Sequence, residues 1–258
     1  PKSYNGNAPA SLTFTDASGN VVRSFALHTK QKLPKDFHNP TAAYEPTERQ
    51  AIEEKVHTGI APGMNSFQWD LRYAPATEVR GYEPPIAAGG EDDGVEGPVV
   101  VPGKYTVTFD YGGSKTSATF DVALDPRIHV APDALDERLA LQRKITVELD
   151  ELDKTVNAAL AAREKLAAHY RKGDNMILAS LDEQIGNLVQ FKQRSSEGAL
   201  LYETKLRDHL AYLNADIDLA YDKPTQAQYV VWDELEHTAN DAIAKLRATT
   251  ASAEAAAR

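Results

Sequence analysis

The repeat distance of apolar residues changes once along this chain, near Pro132, and that change limits what it can fold into. The stretch "PDALDERLALQRKITVELDELDKTVNAALAAREKLAAHYRKG" places Leu135, Ile145, Leu149, Leu152, Val156, Ala159, Leu166 and Tyr170 on a spacing of sevens split three and four. That is the period of a long helix burying a single stripe. With Asp133 as N-cap and Gly173 as C-terminal stop, the pattern predicts roughly 38 helical residues spanning ~57 Å. Further helices are expected near 175–194 (Ile177, Leu181, Ile185, Leu188) and near 202–220 (Leu206, Leu210, Leu213, Ile217). A fourth begins after Pro224 with Thr225 and Gln228 as a capping box, and carries Val231, Leu235, Ala242 and Leu246. Such a set reads as an antiparallel bundle over 131–258, with "ATTASAEAAAR" fraying at its end.

Before the switch the period is two. In "SLTFTDASGNVVRSFALHT" Leu12 and Phe14 alternate with threonines, Asp16 to Asn20 supplies a turn, and Val22, Phe25 and Leu27 return with an irregularity. In "GKYTVTFDYGGSKTSATFDVALD" Tyr105, Val107 and Phe109 alternate with polar residues, Gly112-Gly113 turns the chain, and Ala118, Phe120 and Val122 return. Short strands with Gly/Pro turns and no helix between them predict an antiparallel β-sandwich over 1–130. Two long inserts interrupt it, near 30–61, with a short helix in "TERQAIEEKVH", and near 74–102, with the acidic "GGEDDGVEG". The fold class expected is therefore α+β.

The stretch "GMNSFQWDLRY" decides how much chemistry to expect. As a strand, it puts Phe67, Trp69, Leu71 and Tyr73 on one face and Gln68, Asp70 and Arg72 on the other. Trp69 then belongs to the core, and Asp70 and Arg72 form a surface or inter-domain pair rather than a catalytic couple. The net charge of −10 and the lack of any Lys/Arg cluster longer than Arg171-Lys172 argue against nucleic acid. The absence of cysteine removes disulfides, thiolate catalysis and zinc–thiolate sites. No apolar run approaches the roughly 20 residues of a membrane span. No metal or cofactor is expected.

Three sets of residues remain as candidates. Phe37, His38, Tyr44 and Tyr82 in the inserts are available as glycan or ligand contacts. Glu91, Asp92, Asp93 and Glu96 offer oxygen ligands for Ca²⁺, although such loops are usually solvated. Glu234 and His237 form a single Glu-x-x-His, whereas a di-iron bundle needs two plus further carboxylates.

The order "LTFTDASGNVVRSF", "GMNSFQWDLRY", "VPGKYTVTFDYGGSKTSATFDVALDPR" resembles an Ig-like sandwich of the flagellar hook-capping type. Over the whole chain it is similar to the C-terminal region of bacterial secreted proteins with sialidase-type (BNR, sortilin-like) β-propellers. Phe67, Trp69, Asp70, Leu71, Arg72, Tyr73 and Tyr105 carry that resemblance in the strands. Leu206, Leu210, Leu213, Pro224, Thr225 and Gln228 carry it in the tail. Members are often labelled glycosyl hydrolases, but the resemblance brings no Asp-box and no sialidase-like arginine set to these positions. It implies a non-catalytic structural or interaction module, secreted, periplasmic or on the cell surface, whose signal peptide lies outside this fragment. Its partners would be the propeller of the same protein and a second copy bound through the helices. A carbohydrate-binding or accessory role toward a glycoside hydrolase site is the alternative.

Overall fold

The computed structural model describes residues 8–35, 37, 52–53, 55–82, 96–170, 175–192 and 201–257. The fold is α+β, and the chain divides into two compact units. One comprises Pro1–Ala74 and Val100–Pro126, the other Pro75–Val99 and Arg127–Arg258.

In the first unit, β1 (Ala10–Thr15), β2 (Val21–Thr29), β3 (Gly59–Ile60), β4 (Gly103–Tyr111) and β5 (Ser114–Val122) form one sheet in the order β3-β2-β1-β4-β5. The β2–β3 pairing is parallel and the others are antiparallel. Local chemistry sets both hairpins. Asp16 Oδ1 accepts the backbone N–H groups of Ser18 and Asn20, each at 2.9 Å, and closes the first turn. At the second, Gly112 and Gly113 have φ of 57° and 87°, as a two-residue hairpin requires. The period of two sends Leu12 and Phe14 toward the core beside Phe25, Val107 and Phe109. On the opposite face, hydroxyl pairs Thr13–Ser24 and Thr108–Ser117 bridge neighbouring strands at 2.9 Å. The register slips between Phe14 and Thr15. This bulge changes the phase of β2, so that Val22 is buried along with Phe25 and Leu27.

Two expectations change here. Among the described residues the strands make a single mixed sheet, where a sandwich needs two. "GMNSFQWDLRY" is also not a ladder strand: it crosses the sheet's apolar face as irregular chain, tied down by Val100 N–H donating to Leu71 O at 2.8 Å. Asp70 Oδ1 accepts the N–H of Arg72 at 3.1 Å, and Leu71 between them takes φ 61°. That turn breaks the alternation. Phe67, Trp69 and Tyr73 pack on the core, but Leu71 is 38% exposed instead of sharing their face. Of the short helix expected in the first insert, residues 52–53 and 55–57 are helical, and the rest lies outside the described residues.

The second unit holds α1 (Pro132–Ala167), α2 (Met176–Leu188), α3 (Leu206–Asp218) and α4 (Gln226–Ala256). The buried seam of α1 runs Leu135, Arg138, Gln142, Ile145, Leu149, Leu152, Val156, Ala159 and Leu166, a three–four alternation that includes two polar residues. Pro132 occupies the first turn with Ala131 as N-cap, so Asp133 is not the cap. The helix stops at Ala167, short of Gly173, and Tyr170 is exposed beyond it. Asn175 caps α2 by accepting the N–H groups of Ile177 and Leu178. Thr225 and Gln228 form the reciprocal capping box of α4. α4 buries Trp232, Ala239, Ile243, Leu246, Thr250 and Ala253, while Val231 is exposed. Because Thr250 and Ala253 continue that stripe, the tail expected to fray is helical to Ala256. The segment Pro75–Val99, read from sequence as part of an insert in the strand-forming half, groups with the helices. Its Ala76, Val79 and Tyr82 lie in the helical core.

Candidate functional site

Trp69 is a packing residue. Its ring stacks on Phe14 at a centroid distance of 4.4 Å and meets Tyr105 and Phe120 edge-on near 6 Å. Its indole N–H donates to Arg72 O at 3.0 Å, and Tyr105 O–H donates to Val101 O at 2.7 Å. Asp70 binds Arg23 Nη1 at 2.9 Å, and the same Nη1 also reaches Tyr73 O at 3.3 Å. The acid expected to face Arg72 thus holds only the backbone of Arg72 among these contacts and takes its ionic partner from β2. Both members of that pair are partly solvated, which limits its contribution to about 1 kcal/mol or less.

In the second unit, residues 75–82 form a strap along α1. Thr77 donates its N–H and its hydroxyl to Asp150 Oδ1, at 2.9 and 2.6 Å. Asn157 takes both sides of the strap's main chain: its Oδ1 accepts Arg80 N–H at 2.9 Å and its Nδ2 donates to Glu78 O at 2.8 Å. Arg80 then reaches Glu164 at 3.1 Å. Asp150, Asn157 and Glu164 are seven residues apart, and the match is geometric. Seven helical residues rise about 10.5 Å, and three extended residues cover about 10 Å, so positions 77 and 80 meet positions 150 and 157. Val79 O accepts Tyr82 N–H at 3.2 Å in a turn with Gly81 at φ 74°. This turn ends the extended run and swings Tyr82 inward.

Tyr82 closes over a buried charged group. Arg207, in the first turn of α3, donates Nε to both oxygens of Asp153 at 3.1 and 3.2 Å. The two side chains are 2% and 0% exposed. The Tyr82 ring covers the Arg207 guanidinium at 4.3 Å, and its hydroxyl donates to Asp208 Oδ1. Asp208 Oδ2 accepts Lys205 N–H at 2.9 Å, at the positive end of α3. Burial, then the Asp208 carboxylate, push the Tyr82 phenol far above its ordinary value, so it stays a donor.

Asp150 shows the sign of the strap's dependence on pH. Burial works to raise its pKa, but the bonds from Lys154 and Thr77 outweigh burial and hold it below the usual carboxylate value. A depressed native pKa stabilises the fold above the unfolded value, near 3.9, and that stability is lost as pH falls through the native one. Asp150→Asn is therefore expected to flatten the acid limb of thermal unfolding below about pH 4. A series of melting curves from pH 7 to pH 2 checks this, and parallel limbs for the two proteins would contradict it.

Of the other candidates, Phe37 is 1% exposed and Glu96 is exposed, with its carbonyl accepting from Asn214 at 3.4 Å. His38, Tyr44, Glu91, Asp92 and Asp93 lie outside the described residues. His237 lies 3.7 Å from Asp241 on the exposed side of α4. Among the described residues no three metal-ligating side chains converge. No helix there is long and apolar enough to cross a membrane. A cavity of about 780 Å³ beside α2 is lined by Leu160, Ile185, Val189, Phe191 and Tyr202; of the cations on its wall, Arg163 is paired with Asp182 and Lys205 with Glu203.

Sequence reasoning missed Arg207, Asp153, Asp208 and Asn157. The available signal was the repeat of hydrogen-bonding residues at 150, 157 and 164 beside the apolar seam. No family model matches this chain, and no curated protein or solved structure matches it either.

Proposed function

We propose that this chain is a structural and interaction module of a larger secreted protein with a sialidase- or sortilin-like propeller, stabilising the propeller or mediating assembly. In this reading the sheet, with residues 61–74 laid over its apolar face, is a reduced Ig-like sandwich, and the four helices are an antiparallel bundle offering a surface for a second copy. The observation that carries the reading is the use made of Trp69 and Asp70. The ring that would floor a sugar site is stacked on Phe14, and the acid beside it is tied to Arg23. Exposed Val230, Val231, Leu219 and Tyr221 on and before α4 are consistent with contacts to another surface.

The test compares the parent protein with and without this segment. The segment is expected to raise the propeller's melting temperature while leaving glycoside turnover per folded molecule unchanged. Turnover that disappears with the segment while the propeller stays folded would overturn the non-catalytic role. Light scattering that finds only monomer at high concentration would overturn self-association through the helices.

A further inference from the structure

The strap is held in the manner of a bound peptide. Asn157 satisfies one main-chain donor and one main-chain acceptor of the extended segment, as a neighbouring β-strand would. Asp150 takes a further main-chain N–H. These contacts read the backbone whatever the side chains. Selectivity comes from four places: the Thr77 hydroxyl on Asp150, the apolar Ala76 and Val79 in the helical core, Arg80 on Glu164, and the Tyr82 ring on Arg207. A linker needing only to cross from one unit to the other requires none of this.

We propose that the face of α1 bearing Asp150, Asn157 and Glu164, with the start of α3, is a peptide-recognition groove occupied in cis by residues 75–82. The partner it fits is a segment of another chain that runs extended from a hydroxyl residue, carries an arginine three positions on, and then turns through a glycine to bring in an aromatic two positions after the arginine. The strap is the built-in competitor. As part of the same chain it acts at an effective concentration on the order of millimolar, so a partner gains access as the strap's own hooks weaken. The groove's chemistry does not depend on the propeller reading, and either can fail alone.

The test uses the full chain and a fluorescein-labelled peptide of residues 75–82, followed by anisotropy. The intact chain should bind the peptide weakly. The chain carrying Thr77→Ala and Tyr82→Phe, with its groove unaltered, should bind it about tenfold or more tightly, because its own strap has lost two side-chain bonds. A peptide methylated on the Arg80 nitrogen, which removes the donor that Asn157 receives, should bind about three- to tenfold less tightly. This second comparison needs no change in the protein, so it stands even where a variant folds poorly. No saturable binding to the weakened-strap chain, with its helicity retained, would overturn the proposal. Equal affinity for the methylated and unmethylated peptides would overturn it as well.

Discussion

Replacing Asp153 by alanine is expected to destabilise the helical unit by about 3–5 kcal/mol, among the largest effects of any single substitution in this chain. Asp153 is fully buried on α1 and binds Arg207 Nε through both oxygens, while Tyr82 roofs the guanidinium. Its removal strips a desolvated cation of its carboxylate. Asp153→Asn keeps one acceptor and should cost less. The combination Asp153→Leu with Arg207→Met removes both charges and should recover most of the loss, because the attraction within a buried pair roughly offsets the cost of desolvating it. Urea unfolding followed by helical circular dichroism measures all three. A cost for Asp153→Ala no larger than that of an exposed substitution, about 0.5 kcal/mol, would show that the pair is not buried in solution.

The seam that this pair flanks was only partly legible in the sequence. Ile145, Leu149, Leu152 and Val156 announce themselves because apolar residues at three–four spacing have few other uses. Arg138 and Gln142 sit in the same register and are buried, yet as polar residues they read as surface. What places them inside is supplied from far along the chain: Arg138 donates to Ala220 O and Gln142 to Asp218, at the carboxyl end of α3. The hairpins were legible because Asp16, Gly19, Gly112 and Gly113 encode their turns locally. The strap was not. Ala76, Val79 and Tyr82 are too few to set a period, and their partners lie up to 126 residues away. At the candidate site, the inward direction of Trp69 followed from alternation with Phe67. Alternation failed two residues later, because Asp70 bonds the Arg72 N–H and turns the chain through a left-handed leucine.

That local failure makes two substitutions in one stretch diverge. Trp69→Ala should destabilise the sheet unit by about 3 kcal/mol, toward the lower end for a buried aromatic because the ring is only partly covered. It removes the stack on Phe14, the edge contacts with Tyr105 and Phe120, and the bond to Arg72 O. Trp69→Phe keeps the ring on Phe14 and loses the N–H, and should cost about 1 kcal/mol. Leu71→Gly should go the other way, neutral or stabilising by up to about 1 kcal/mol. A leucine held at φ 61° with its side chain in solvent gives up little packing and relieves backbone strain. On a regular strand with Leu71 beside Trp69 in the core, the same change would cost about 2–5 kcal/mol. Unfolding followed by tryptophan-free probes such as amide hydrogen exchange in β1 and β4 separates the two outcomes. A large loss at Leu71 would restore the strand, while a small loss at Trp69 would free the indole for a ligand and remove the observation on which the non-catalytic reading stands.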